Sequence, residues 1–175
     1  MPSRRTLVLD GSLGFSVVAI VEERNGANVC VAEDVHDENP LLQRISNLLP
    51  ANADRATLTD VVVGNGPGSY SGTRIAASAA VGIASALAIT LRESPSDRAL
   101  WQAVRRSFSI ALGTRESLEI SAGGSEVVLR EMAPPHLTRE ECRAVVACAL
   151  VNEAGVVASH VTLRYPAPAR GSEVQ

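Results

Sequence analysis

With 175 residues, 46% of them hydrophobic but only 3% aromatic, the chain is long enough to bury a sizeable core and must build it from Ala, Val, Leu and Ile. A formal charge of −3 leaves no basic excess for gripping nucleic acid unaided, so any RNA would be held by a partner. All 16 basic residues are arginine, which excludes a P-loop lysine and a Schiff-base lysine. Cys30, Cys142 and Cys148 form no C-x-x-C pair and follow no export signal, so the expectation is a reduced, cytoplasmic protein.

In chain order, Thr6 to Asp10 reads as a buried strand, Gly11-Ser12-Leu13-Gly14 as a turn, and Phe15 to Glu23 as a second, alternating strand. Asn25-Gly26 is a type I′ hairpin signal that feeds a third strand near Asn28 to Asp34. Leu41, Leu42, Ile45, Leu48 and Leu49 form one helical stripe, with Pro40 in the first turn and Asp37 or Asn39 as its cap. The β-branched run from Val61 enters Gly64-Asn65-Gly66-Pro67-Gly68-Ser69-Tyr70-Ser71-Gly72, and an alanine-rich helix follows from about Thr73 to Ala88. Leu87 to Leu91 reads as a strand, and Ser94-Pro95-Ser96-Asp97 opens a helix through Val104. Strands are expected at Ser107 to Leu112, Ser117 to Ala122 and Val127 to Glu131, the last two joined by Gly123-Gly124. Thr138-x-x-Glu141 is a capping box opening a helix to about Val151, and a frayed tail follows Tyr165. Periodicity alone gives an α/β protein with a mixed sheet. The apolar pattern from Ile75 to Leu91 is too short and too interrupted for a membrane span.

Several residue groups invite a chemical reading. A glycine-rich strand-to-helix joint can cradle an anion through Gly66, Gly68 and Ser69, or can be a tight turn that starts the helix hard against the sheet. Asp10 and Ser12 could face a phosphate or metal, or cap their own turn. His36 would need a second ligand one helical turn on, but that position is Pro40; His136 and His160 have no His or Cys at ligand spacing. Ser69 and Ser71 lack a G-x-S-x-G elbow for nucleophilic chemistry. Between Thr73 and Leu91 the sole charge is Arg74, so this helix is buried in the monomer or packs on another subunit. Ile75, Ala79, Ile83 and Leu87 form the stripe expected to face the sheet.

Gly64 to Arg74 closely resembles the G-R-G-P-G-S-F-T-G-V-R signature of the bacterial TsaB (YeaZ) family, with Asn65 in place of its arginine. Leu7 to Ser12 followed by Phe15 to Val18 is similar to that family's I-D-T-S…S-V-A-L, and His36 with Leu41-Leu42 and Leu48-Leu49-Pro50 is similar to its H-S-x-x-L-x-P. The likeness covers roughly the first ninety residues; Gly113-Thr114-Arg115 stands where the family has D-A-R, and Val161 to Arg164 is similar to its closing Y-L-R. The resemblance implies an actin/hexokinase-like (ASKHA) half-domain over residues 1–92, a reduced second α/β domain over 93–165 and a flexible tail over 166–175. It implies a non-catalytic scaffold in threonylcarbamoyl modification of a tRNA adenosine beside the anticodon. The partners would be a TsaD-like catalytic subunit and a TsaE-like ATPase, or a second copy of the chain. Leu42, Ile45, Ala76, Ala77, Ala80 and Ala84 would form the docking surface, tRNA would be met only indirectly, and ATP or ADP only through partner subunits. The rival reading is a small ASKHA-fold, nucleotide-dependent phosphoryl or carbamoyl transferase using Asp10, Ser12 and the glycine loop.

Overall fold

The computed structural model describes residues 4–112, 114–156 and 160–166. Its first three strands, β1 (Arg5–Asp10), β2 (Val17–Arg24) and β3 (Ala27–Glu33), form the expected antiparallel meander. Asn25 and Gly26 both take positive φ at the β2–β3 turn, as a type I′ hairpin requires. Helix α1 (Leu41–Leu48) and a single turn, α2 (Asn52–Arg55), lead to β4 (Asp60–Gly64), which pairs parallel to β1. Helix α3 runs over Tyr70–Leu87, starting three residues before the expected Thr73 because Ser69 caps it by accepting from the Gly72 N–H. Strand β5 (Thr90–Ser94) then pairs parallel to β4. It lies three residues later than expected: Ala88 adopts a left-handed conformation that ends α3, and only then does the chain extend.

Helix α4 (Ser96–Val104) leads to the antiparallel sheet of β6 (Phe108–Ala111), β7 (Glu116–Ser121) and β8 (Gly124–Leu129). Helix α5 (Arg139–Glu153) opens with the predicted capping box, Thr138 Oγ1 accepting from Glu141 N–H and Glu141 accepting from Thr138 N–H. Strand β9 (Gly155–Val156) returns to pair with β5, giving the main sheet the order β3-β2-β1-β4-β5-β9.

The central strands are buried on both faces. Leu7, Leu9, Val18, Ile20, Val61 and Val63 point toward α1 and α3, whereas Val8, Val17, Ala19, Val21 and Val62 point toward α4, α5 and the second sheet. The second core is continuous from the main sheet through Leu100, Phe108, Leu118 and Ile120 to Cys142, Val146 and Leu150. The boundary expected between residues 92 and 93 falls inside β5. No helix among the described residues is long and apolar enough to cross a membrane.

Arg44 of α1 has a fully buried guanidinium. Its Nε donates to Asp34 Oδ1 at 3.0 Å, Nη1 donates to Asp37 Oδ1 at 3.0 Å and to Ser16 Oγ, and Nη2 donates to the Ser16 and Asp34 carbonyls. Asp37 also accepts from Arg143 of α5 at 2.7 Å. Neither Asp37 nor Asn39 caps α1: Pro40 occupies the cap position with no side-chain bond, and Asp37 is engaged by these two arginines.

Candidate docking surface and glycine loop

The glycine loop begins where β1, β4 and β5 end, on the same edge of the sheet. Gly64 pairs with Ser94 of β5 on one side and adjoins Asp10 of β1 on the other. A Cβ at Gly64 would overlap the Asp10 carboxylate and lie 2.7 Å from Ser96 Oγ, so glycine here makes room for a buried acid. Asp10 is fully buried; Oδ1 accepts from the Ser12 N–H at 2.7 Å and Oδ2 accepts from Ser96 Oγ at 2.6 Å. Burial pushes this carboxyl above its ordinary range, and the hydrogen bonds from Ser96 and Ser12 only partly offset that. Nearby, Ser12 Oγ, Asn65 Oδ1 and Ser94 Oγ are buried with no protein partner.

The loop then folds onto the β1–β2 turn. Ser69 N–H donates to the Ser12 carbonyl at 2.8 Å, and a Cβ at Gly68 would overlap that same carbonyl. Gly11 and Gly72 face each other so closely that a Cβ on either would strike the other's carbonyl. Of the residues expected to hold a nucleotide or anion, Asp10, Ser12, Gly68 and Ser69 are thus brought together but contact one another, while Gly66 bonds Ser96 through both its N–H and its carbonyl. Ser12 C=O sits on the Ser69 N–H, at the point where an anion cradle would receive its ligand. The geometry favours the tight-turn reading of this motif.

Beside this junction a hollow of about 390 Å³ is lined chiefly by Phe15, Leu41, Ile75 and Leu112, with the Ser16 and Ser69 side chains as its polar members. Ser69 Oγ serves the α3 cap. His36 Nδ1 lies 3.1 Å from Glu38, and His136 Nδ1 lies 2.9 Å from Ser109 Oγ. No group of three or more His, Cys, Asp or Glu among the described residues is arranged to hold a metal ion. Gly113 of the expected D-A-R-like segment lies outside the described residues.

Helix α3 corrects the expected orientation. Ala76, Ala77, Ala80 and Ala84 are buried inside the monomer, and Ile45 of α1 is buried with them. They therefore cannot form the outward docking surface. Ile75, expected to face the sheet, is 57% exposed instead. The cause is steric: β1 and β4 present Leu7, Leu9, Val61 and Val63 toward the helix, and alanines let its backbone approach these large side chains closely. Of the six expected docking residues only Leu42 is outward, 64% exposed. A stripe of small residues and a stripe of large ones are equally free of charge, so the pattern left their order undecided.

The outward face forms a shallow groove of about 560 Å³ between α1 and α3, lined by Leu41, Leu42, Ile75, Ala79 and Ile83, with Arg74 and Ser78 at its rim. Gly82 lies in the groove floor with open space above its Cα. Arg74, the helix's one charge, is held aside over the Tyr70 ring, 5.2 Å from its centroid, with Nη1 donating to Tyr70 Oη at 2.8 Å. The sequence reading expected a docking surface on these two helices but assigned it to the alanine face, because their relative rotation is set by the Arg44 anchor and by the packing of those alanines.

A family model described as TsaD, tRNA N6-adenosine threonylcarbamoyltransferase, matches residues 29–160. The chain belongs to the TsaD family. It is therefore a member of a tRNA-modification family, and its α/β architecture is the ASKHA-like fold of the YeaZ (TsaB) proteins. A crystal structure of an uncharacterized Pseudomonas aeruginosa protein with similarity to peptidase YEAZ superposes with a TM-score of 0.51 at 18% identity. It covers 77% of this chain and 71% of its own. YeaZ from Pseudomonas aeruginosa gives a TM-score of 0.46 at 20% identity, covering 71% and 64% of the two chains. No curated protein sequence matches the chain significantly.

Proposed function

We propose that this TsaD-family chain is a non-catalytic, TsaB-like subunit that docks a TsaD-like catalytic subunit through the α1–α3 groove and keeps it competent to modify tRNA. The observation that carries this reading is the groove itself: an apolar surface spanning two helices, with the cation at its rim, Arg74, folded back onto Tyr70. The junction of Asp10, Ser12 and the glycine loop supports the same reading, since the Asp10 carboxylate is engaged by Ser12 and Ser96, the Ser69 N–H is taken by the Ser12 carbonyl, and the residues lining the adjoining hollow include no charged side chain. Phosphoryl or carbamoyl transfer needs cationic or metal groups where charge develops, and the hollow offers hydroxyls and apolar walls. In the proposed assembly, a TsaE-like ATPase and tRNA are met through the catalytic subunit, as the net charge of −3 favours.

The test is binding between the purified chain and its host's TsaD-like catalytic subunit, followed by Leu42→Glu and Ile75→Glu. The expected outcome is a stable complex that either substitution weakens by about tenfold or more, with each variant's thermal melting close to that of the parent. No complex at micromolar concentrations would sink the reading. Turnover of a nucleotide by the isolated chain, lost in Asp10→Ala, would replace it with the transferase. An Ala80→Arg variant cannot serve as an interface control, because Ala80 has no exposed surface.

A further inference from the structure

Successive side chains of a strand alternate between its faces, so pairing with β2 decides which residues of the outer strand β3 look toward α5. Asn28 pairs with Glu23, Cys30 with Val21 and Glu33 with Ala19. Val21 and Ala19 belong to the core beneath α5, so Cys30 stands on that face. The register shift between Ile20 and Val21 brings Glu33 onto it as well. On α5, Cys148 and Asn152 are four residues apart and share one side of the helix. Cys148 is partly buried against the same core.

Two contacts fix how the helix lies along the strand. Asn28 Nδ2 donates to Asn152 Oδ1 at 2.7 Å, and Arg143 Nη1 donates to Glu33 Oε1 at 3.3 Å. Helix α5 therefore runs antiparallel to β3, and both cysteines fall between these tethers. From the Asn28–Asn152 contact, two residues along β3 advance about 7 Å and one turn back along α5 about 6 Å, which brings Cys30 and Cys148 abreast. The Cys30 N–H reaches the Cys148 sulfur. Burial pushes both thiols above their ordinary range; a charge on Cys148 would raise Cys30 further, and the bond from the Cys30 N–H partly offsets the effect on Cys148. Cys30 is open to solvent, its Sγ donating to the Ala32 carbonyl at 3.6 Å. Cys142 is placed differently. It is fully buried and six positions before Cys148, about 9 Å along one helix, whereas bridged cysteines have Cα atoms less than about 7 Å apart.

We propose that Cys30 and Cys148 form a reversible redox pair whose disulfide staples α5 to β3, with a hydroperoxide as the oxidant. The Cys30 thiolate, exposed to solvent, attacks a peroxide oxygen; the O–O bond breaks, the displaced hydroxide leaves as water, and Cys30 becomes a sulfenic acid. The Cys148 thiolate then attacks the Cys30 sulfur, the S–O bond breaks, and the departing hydroxide takes up a proton as water. Two thiols lose two electrons and two protons, and hydrogen peroxide becomes two waters. Glutathione reverses the step by exchange, two molecules being oxidised to one disulfide. Burial keeps both groups mainly as thiols, so closure takes minutes, not seconds. The bridge joins residues 118 positions apart and so constrains most of the unfolded chain. It lies on the sheet face away from the α1–α3 groove, and either reading can fail without the other.

The experiment treats the reduced, intact chain with hydrogen peroxide under native conditions, then counts free thiols and maps disulfides by mass spectrometry of proteolytic fragments. The expected result is a fall from three free thiols to one, a fragment linking Cys30 to Cys148, and recovery of all three thiols with reduced glutathione. Closing so long a loop should raise the melting temperature by about 5 °C or more. Cys30→Ser, an exposed change with an unaltered melting curve before oxidation, should keep both remaining thiols and lose that rise. The proposal is overturned if Cys30 is driven to a sulfinic or sulfonic acid while Cys148 stays free, since a facing thiol captures the sulfenic acid first. A Cys30–Cys30 bridge between two chains, seen as a dimer on a non-reducing gel, overturns it in favour of a thiol open to other proteins. Cys30–Cys148 linkage no more selective in the native chain than in the urea-unfolded one overturns it, because the fold then contributes nothing to the pairing. So do three thiols still free under peroxide that fully oxidises the unfolded chain.

Discussion

The two faces of the main sheet are dressed differently, and the difference separates what the monomer needs from what it offers. On the α5 side, Cys142, Val146, Ala147, Leu150 and Val151 are buried against the sheet, while Arg139, Glu140 and Asn152 of the same helix meet solvent. That is an ordinary amphipathic helix with a finished surface. On the α3 side, the buried stripe is alanine and the exposed stripe includes Ile75, Ser78, Gly82 and Ala86, beside the exposed Leu42 of α1. The inward stripe is alanine, while Ile75 stands outward among small, uncharged residues, which is not what a solvent-washed helix presents. Such a surface adds little to the stability of the monomer, and the proposed docking would cover it.

The largest expected effect tests that inversion directly. Ala80→Arg should destabilise the monomer by about 4 kcal/mol or more, because it puts an unpaired charge and a long side chain where no surface is exposed. Ile75→Arg, on the same helix, should move stability by no more than about 0.5 kcal/mol. Thermal or urea unfolding of the pair decides it, and equal losses would mean that the helix is rotated from the position described. Arg44→Ala should cost about 3–5 kcal/mol, since it leaves the buried Asp34 carboxylate without its guanidinium and frees α1 from the body. A loss under about 1 kcal/mol would show that the groove is not held by this anchor.

A smaller effect concerns Asp10. Its folded-state pKa is raised by burial, so its contribution to stability is greatest below the ordinary carboxylate range and is lost as pH rises through the folded value. Asp10→Asn should therefore gain on the order of 1 kcal/mol at pH 8 and little at pH 4, measured by urea unfolding at both. Asp60 has the opposite sign. Burial pushes its carboxyl up, but hydrogen bonds from Arg4, Thr6 and Thr59 outweigh this and hold it low, so its contribution is lost on acidification. The smallest effect is chemical: burial pushes the Cys142 thiol up to about 11, so under native conditions it should resist alkylation while the exposed Cys30 is labelled first. Labelling of Cys142 at the rate of Cys30 would show that the α5 side is less closed than described.

Much of this architecture was legible in the sequence because local signals agreed with the fold. Asn25-Gly26, the Thr138/Glu141 capping box and the alternation of the first strands each specify a local geometry that the tertiary structure keeps. The glycine loop was legible as a strand-to-helix joint, but its function was not, because the carbonyl that occupies it belongs to Ser12, 57 positions earlier than Ser69. The rotation of α3 was likewise beyond periodicity: a helix without charges carries no polar face to mark its outside. Arg44 ran against expectation in the other direction. A buried arginine is detectable only once Asp34, Asp37 and Ser16 are seen to converge on it. Cys30 and Cys148 are 118 positions apart, and nothing in their spacing announces that they meet.

Strand β9 and helix α5 come from the last third of the described chain, yet they cover and complete a sheet whose other five strands end at Ser94. A ribosome that has released residues 5–94 has therefore delivered α1, α3 and the anchor between Arg44 and Asp34, with Val8, Val17, Ala19, Val21 and Val62 still bare on the reverse side. Over some 45 further residues of translation α4 and the second sheet emerge, but until α5 begins at Arg139 that apolar face lacks part of its cover and is open to wrong pairings. A pause in synthesis just after β5 would lengthen an exposure that the finished protein no longer shows.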